Sequence, residues 1–354
     1  DWTSGDWREY TGTITITGSN TASQYASITV VAGTHDITLN NVNLTATRDD
    51  RAGFSGLYIG SSDSANVTLT LQGDNTLQGS PILMNEESSR PGVTIAMNSS
   101  LTIQGNGSLR AIGGNTLRTT TGIASKGIQV LSGSLTIQDG VTVSAIGGNK
   151  GVTAGAQRGS GMEIVSKGAV SVDNSHLSLD GFSAIISNPR LTLRGPNTTL
   201  DFVPSLSSHD TNLTCDLAPG DGYYGILTAG SSRRNVGVGS GVSLSFRGSG
   251  SFAFSNQKYS LTVQEGGNGS SGGGTYIPGT AVSVNAGAKD GYAFQEWQRV
   301  SGSGSFDDVR QAQTTFTTDL EDTVIRPVFW PLHTLSVTGG TASETRGVTG
   351  KTVA

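Results

Sequence analysis

Apolar and polar residues alternate in short runs along most of the chain, and each run ends at Gly, Asn or Asp. Residues 101–115 read LTIQGNGSLRAIGGN and residues 135–149 read LTIQDGVTVSAIGGN, with nine of fifteen positions identical at a spacing of 34. The same frame stands 32 residues earlier as LTLQGDNTL from Leu69, and another 32 earlier as ITLNNVNLT from Ile37. Downstream it returns as VSVDNSHLSL from Val170, LTLRGPNTTL from Leu191 and LSFRGSGSF from Leu244.

Period-two alternation predicts strands with one buried face. Each unit holds two such runs across a Gly/Asn/Asp turn. A third short run lies between units, as in Gly127-Ile128-Gln129-Val130-Leu131 and Gly161-Met162-Glu163-Ile164-Val165. Three short strands per period of some 32–35 residues make one coil of a right-handed parallel β-helix. A lone coil cannot bury its inner face, and stacking coils builds a continuous core. A β-propeller would call for longer blades richer in aromatics, and a β-sandwich for hairpin spacing without register-locked repeats. The spacing places Leu69, Leu101 and Leu135 on one interior column. The Gly/Asn-rich insertions at 113–122 and 147–161 should project side by side on one face, where solenoids commonly bind ligands.

The pattern changes near Asn256. From Tyr259 the text becomes YSLTVQEGGNGSSGGGTYIPGTAVSVN, and a second copy opens at Leu332, with Leu335-Ser336-Val337 lying 74 residues after Leu261-Thr262-Val263. The expected organisation is a β-helix over 1–257, a small all-β module over 258–330, and the start of a second, incomplete module over 331–354. The second copy holds only its first strands, so the natural protein is expected to continue past Ala354. Trp297 is expected in the core of the first module, against Leu261, Val263, Val282, Val284 and Val324-Ile325.

Composition narrows the function classes. Only 14% of residues are charged and 51 are glycine, yet the apolar residues are patterned rather than scattered, which argues for order over low complexity. The net charge of −5 and the absence of any Lys/Arg cluster larger than a pair such as Arg233-Arg234 speak against nucleic-acid binding. No apolar run is long enough to insert in a membrane as a helix. One cysteine, Cys215, allows no intrachain disulfide, and its alternating surroundings predict a small core residue. The opening Asp1-Trp2-Thr3 is expected to follow a removed signal peptide.

Paired titratable groups, which catalysis needs, are not evident. His35, His176, His209 and His333 lie in four separate segments. Asp49-Asp50-Arg51 is the densest charged group, in a loop followed by Phe54 and Tyr58. Adjacent carboxylates can supply oxygen ligands to calcium, with Asp63 as a third candidate. A solvated loop tip is the plainer reading. Asp63, Asp74 and Asp139 occupy successive turn regions and could line one face. Trp2, Trp7 and Tyr10 are expected to cap the first coil. Tyr223-Tyr224 lie in a departure from the repeat, residues 201–235, that suits a binding loop. The candidate ligand-binding set is therefore Asp49, Asp50, Arg51, Tyr58, Tyr223 and Tyr224.

The stretch ITLNNVNLTA…GLYIGSSDSANVTLTLQGDNTLQG and the AIGGN repeats at 111–115 and 145–149 resemble bacterial surface carbohydrate-binding β-helix domains, over roughly residues 10–255. That resemblance implies a secreted protein that binds acidic polysaccharide with calcium and lacks lyase activity. The strand Gly291-Tyr292-Ala293-Phe294-Gln295-Glu296-Trp297 is similar to the hallmark of the divergent internalin B-repeat family, whose modules act as stalks or spacers on surface proteins. The expectation is a non-enzymatic cell-surface adhesin binding a polysaccharide or host glycan. The alternatives are a purely structural appendage or layer component that self-associates, and a β-helix lyase or hydrolase.

Overall fold

A computed structural model describes residues 13–19, 27–45, 55–60, 63–81, 90–96, 98–115, 124–149, 158–165, 167–180, 182–185, 190–202, 210–341, 346–350 and 352. All regular elements among them are strands. None of them is a helix long and apolar enough to cross a membrane. Two compact units divide the chain, one of residues 1–221 with 225–254 and one of residues 222–224 with 255–354.

The first unit is a parallel β-helix. Strand β1 (Thr13–Ser19) leads to a coil of β2 (Ile28–Val30) and the long β3 (Gly33–Thr45). Full three-strand coils follow: β4 (Leu57–Ile59), β5 (Ala65–Gln72), β6 (Asp74–Gln78); then β7 (Val93–Ile95), β8 (Ser100–Gly105), β9 (Ser108–Ile112). Next come β10 (Ile128–Leu131), β11 (Ser134–Ile137), β12 (Thr142–Ile146); then β13 (Met162–Val165), β14 (Ala169–Asp173), β15 (His176–Asp180); then β16 (Phe182–Ile185), β17 (Arg190–Arg194), β18 (Thr199–Phe202). Equivalent strands stack in parallel register. The short strands β2, β4, β7, β10, β13 and β16 form one six-stranded sheet. The other two strands of each coil form the remaining faces.

The alternating apolar residues meet inside. Leu69, Ile103, Leu109, Ile137, Val143, Val172 and Leu179 are each fully buried, while the residues between them face outward. Burial of this kind is worth roughly 1.5–3 kcal/mol per large side chain, and it accumulates coil by coil.

The register differs in one place from the repeat in the text. Leu101 stacks on Leu135, as expected, but Leu69 stacks on Ile103, and Val67 is the partner of Leu101. All three leucines do face the interior. The structural period between these coils is therefore 34 residues, not 32. A shift of two leaves every side chain on its own face, so alternation alone cannot detect it. In the observed register the backbones touch at the following corner, where a Cβ on Gly107 would overlap the Gly73 carbonyl oxygen.

The bases of the insertions stack on one another, while their projecting parts, residues 116–122 and 150–157, lie outside the described residues. Gly113 and Gly147 follow β9 and β12, and the Gly113 amide donates to the Ile146 carbonyl. Gly148 donates to Ser125, and the Asn149 amide donates to Asn115 Oδ1 at 2.8 Å. A Cβ at Gly114 would strike the Ser80 carbonyl, and one at Gly148 the Gly114 carbonyl. The AIGGN text repeats because only glycine lets these backbones approach.

The last repeat does not form another parallel coil. Strand β19 (Asp210–Ala218) continues the stack on β17 in parallel, but the Leu244 segment, β22 (Gly239–Arg247), runs antiparallel to β19. Strand β23 (Gly250–Ser255) is antiparallel to β18, with Phe252 opposite Leu200. Between them β20 (Tyr224–Ala229) and β21 (Ser232–Val236) form a hairpin. Gly220, Gly222, Gly239 and Gly241, all at positive φ, lie on either side of this hairpin. The returning strands occupy edges that a bare solenoid would leave unpaired.

Cys215 stacks on Leu191 inside this region and is 2% exposed. Burial, and secondarily the charge of Asp216, push its thiol up to about 12. At pH 8 roughly one such thiol in ten thousand is ionised, against roughly a quarter in an unfolded chain. Alkylation by iodoacetamide at that pH should therefore be about a thousandfold slower in the native protein than in denaturant. A native rate within tenfold of the unfolded one would mean that β19 does not hold Cys215 inside.

The second unit places β24 (Tyr259–Val263), β25 (Gly274–Tyr276), β27 (Tyr292–Ser301) and β30 (Thr323–Pro331) in a four-stranded sheet. Strands β26 (Ala281–Asn285), β28 (Ser305–Phe306) and β29 (Gln313–Thr317) form a three-stranded one. Leu261, Val282, Val284, Ala286, Trp297, Phe316 and Ile325 form its core. The Trp297 ring stacks on Phe306 at 5.8 Å, and its Nε1 donates to the Gln311 carbonyl at 3.1 Å. Ser260 donates its amide and hydroxyl to Asp322 Oδ1 at 2.7 and 2.9 Å, which holds that carboxyl below its ordinary value. Beyond β30, β31 (His333–Thr334) pairs with β32 (Arg346–Gly347), and Leu335 and Val337 are exposed.

Candidate functional site

In β4 and β7, and over the first three residues of the four-residue β10 and β13, the outer two residues face the core. Leu57 and Ile59, Val93 and Ile95, Ile128 and Val130, and Met162 and Ile164 are all buried. The middle residue of each strand therefore faces outward, giving the row Thr29, Tyr58, Thr94, Gln129, Glu163 in paired register. Neighbouring members are about 4.8 Å apart, one coil of the solenoid.

Hydrogen bonds tie the row together. Ser55 Oγ lies 2.9 Å from Thr94 Oγ1, and Ser27 Oγ donates to the Ser55 carbonyl at 2.6 Å. Gln129 Nε2 donates to Glu163 Oε2 at 2.5 Å, and Lys126 Nζ lies 3.3 Å from Glu163 Oε1. The Glu163 side chain is 3% exposed, which leaves it no solvent to stabilise its charge. Ionised carboxylates are held at such sites by cationic and hydrogen-bonding partners. Thr94 is buried as well, whereas Tyr58, Gln129 and Lys126 remain partly open. Thr29, Tyr58 and Gln129 are thus open or partly open and Thr94 and Glu163 buried, with the stacked insertion bases along one side.

Other polar groups collect outside β15 and β18. The Nδ1 of His176 lies 2.7 Å from Thr199 Oγ1 and its Nε2 lies 3.6 Å from Asp201 Oδ2. Arg158 pairs with Asp180 at 2.5 Å. Both pairs are partly solvated, so their contribution to stability is small.

In the second unit, Gly291 at positive φ opens β27, and Tyr292, Phe294 and Trp297 follow along that strand. Phe294 packs against Trp297 and Phe329, and Lys289 Nζ stands 4.6 Å above the Tyr292 ring. The aromatic strand closes one side of the core. Residues 259–332 match the family model of the divergent InlB B-repeat domain. No curated protein and no solved structure matched the chain. In the B-repeat-like module the hallmark aromatics serve packing, with Trp297 only 2% exposed.

The sequence candidates fall in different places. Tyr58 stands in the outward row. Asp49, Asp50 and Arg51 lie outside the described residues, in the segment leading into β4, and Asp63 is exposed in the turn that follows β4. Asp74 opens β6 and accepts the Ser108 hydroxyl at 2.8 Å, while Asp139 occupies a left-handed turn between β11 and β12. Asp63, Asp74 and Asp139 do not share one face, because each coil has three corners and Asp63 sits at a different one. Among the described residues no three His, Cys, Asp or Glu side chains are grouped to hold a metal ion. Tyr223 is half-buried and Tyr224, at the start of β20, is 4% exposed.

Thr94, Gln129 and Glu163 were not among the sequence candidates. Their signal is a four-residue text, Gly56-Leu-Tyr-Ile, Gly92-Val-Thr-Ile, Gly127-Ile-Gln-Val and Gly161-Met-Glu-Ile. The polar residue holds one position while its identity changes, which hides the row from a search for identical repeats.

Proposed function

We propose that the chain is part of a non-enzymatic bacterial cell-surface protein whose β-helix binds a polysaccharide, with the B-repeat-like module as a spacer. The observation that carries this reading is the outward row Tyr58–Thr94–Gln129–Glu163, which repeats a polar position once per coil. A polymer laid along the solenoid axis would meet the partly open Tyr58 and Gln129, with the buried Thr94 between them. Tyr58 offers it an aromatic face and a hydroxyl, and Gln129, two coils on, offers hydrogen bonds. Insertions alongside such a row are where a solenoid adapts its specificity.

A glycan array spanning plant, microbial and host polysaccharides tests the reading. Retention of at least one polymer class is expected, with reducing-end and unsaturated-product assays at background on every polymer bound. Silence across the array would assign the β-helix a purely structural role. Turnover that disappears with a single carboxylate variant would make it a lyase or hydrolase.

A further inference from the structure

We infer that the B-repeat-like module carries a self-modification site at Asn268-Gly269, where the asparagine converts through a succinimide to aspartate and isoaspartate. The tetrapeptide Gly-Asn-Gly-Ser occurs at 105–108 and again at 267–270, and these hold the two Asn-Gly pairs of the chain. Glycine after asparagine matters because the attacking group is the next residue's amide nitrogen, which a side chain would shield. The nitrogen of Gly269 attacks Cγ of Asn268, the N–Cγ bond forms, and the Cγ–Nδ2 bond breaks. The amide proton leaves with the Nδ2 group as ammonia. Water then opens the five-membered ring at either carbonyl, giving aspartate or, with the chain rerouted through Cγ, isoaspartate.

The same four residues meet opposite surroundings at the two places. Asn268 and Gly269 are exposed, and nothing lies within 4 Å of where a Cβ on Gly269 would stand. Among the described residues neither the Gly269 amide nor the Asn268 side chain has a hydrogen-bond partner, so both reacting groups are unengaged. Turning the Asn268 carbonyl to bring them together costs one bond, that from the Ala288 amide at 2.9 Å. Asn106 is exposed too, but Gly107 is wedged between coils. A Cβ there would lie 2.4 Å from the Gly73 carbonyl oxygen. The Gly107 carbonyl accepts the Thr142 amide at 3.4 Å, and Ser108 donates to the Gly73 carbonyl at 2.8 Å. Cyclisation at Asn106 therefore has to unstack neighbouring coils. In the iso product at 268, the carbonyl that accepts the Ala288 amide becomes a free carboxylate. A charge then replaces a main-chain carbonyl in the Asn268–Ala288 bridge, just before Lys289 and Tyr292.

Incubation of the whole native chain in heavy-oxygen water at mildly alkaline pH, followed by peptide mapping, reads both places at once, because ring opening inserts one labelled oxygen. The peptide carrying Asn268 should take up label and split into aspartyl and isoaspartyl forms. Its rate should fall within about tenfold of that in the urea-denatured chain, the factor that one backbone hydrogen bond supplies. The peptide carrying Asn106 should be slower than in urea by about a hundredfold or more, since two inter-coil bonds hold Gly107 and Ser108. In urea the two should convert alike, because their local sequence is the same. An Asn268 peptide that stays unlabelled in the native chain while the denatured chain converts would overturn the inference. So would a native Asn106 that keeps pace with Asn268, since the folded surroundings would then decide nothing. The comparison is internal to one wild-type sample and needs no variant.

Discussion

Trp297→Ala should unfold the B-repeat-like module and spare the β-helix. The ring is 2% exposed, stacks on Phe306 and sits beside Phe294, and its Nε1 bond to Gln311 is lost with it. Truncating a buried Trp costs about 3–5 kcal/mol, and a module of this size has a total stability of about 4–11 kcal/mol. The β-helix stands on contacts between its own neighbouring coils, and Trp297 belongs to the core of the second unit. Calorimetry of the variant should show one transition lost or moved down by tens of degrees and one retained. Two transitions shifting together would show that the units fold as one.

The second large effect belongs to a single methyl group. A Cβ on Gly148 would overlap the Gly114 carbonyl oxygen of the coil below, and the Gly148 amide is bonded to the Ser125 carbonyl. The obstructing atom is backbone, so no side chain can swing aside. Gly148→Ala must separate two coils locally, at a cost of roughly 2–4 kcal/mol by analogy with overpacked cores and lost backbone hydrogen bonds. By contrast Gly140→Ala, where nothing lies within 4 Å of the added atom, should cost only the strain of its positive φ. The difference in urea midpoint between the two variants measures the coil stacking. Equal midpoints would mean that the insertion bases do not stack as described.

The solenoid was legible in the sequence because its physics is local and repeated. Alternation gives the buried face of each strand, and AIGGN marks corners where backbones touch. Two features were not. The stacking of Leu69 on Ile103 rather than Leu101 is a shift of two residues, to which alternation is blind. The antiparallel return of the Leu244 segment is hidden for a related reason, since a half-buried strand reads the same in either direction. The outward row escaped because each short strand turns only one such residue away from the core, and Tyr58, Thr94, Gln129 and Glu163 share polarity and position rather than identity. Trp297 was the easiest core residue to foresee; among its expected partners Ile325, not Val324, faces the core, and Phe316 and Phe306 complete it.

The most direct test of the account is a calorimetric titration of a polymer retained by the wild-type chain against three variants. Tyr58→Ala removes an outward group of the row, and Gln129→Ala removes one whose amide also donates to the buried Glu163. Each, once its fold is checked by circular dichroism, should weaken binding about tenfold or more, the loss of one good contact. Trp297→Ala should bind as tightly as the wild type if the proposed site lies on the β-helix. Undiminished binding by both row variants, or binding lost with Trp297→Ala alone, would contradict the assignment of the polysaccharide site to this row.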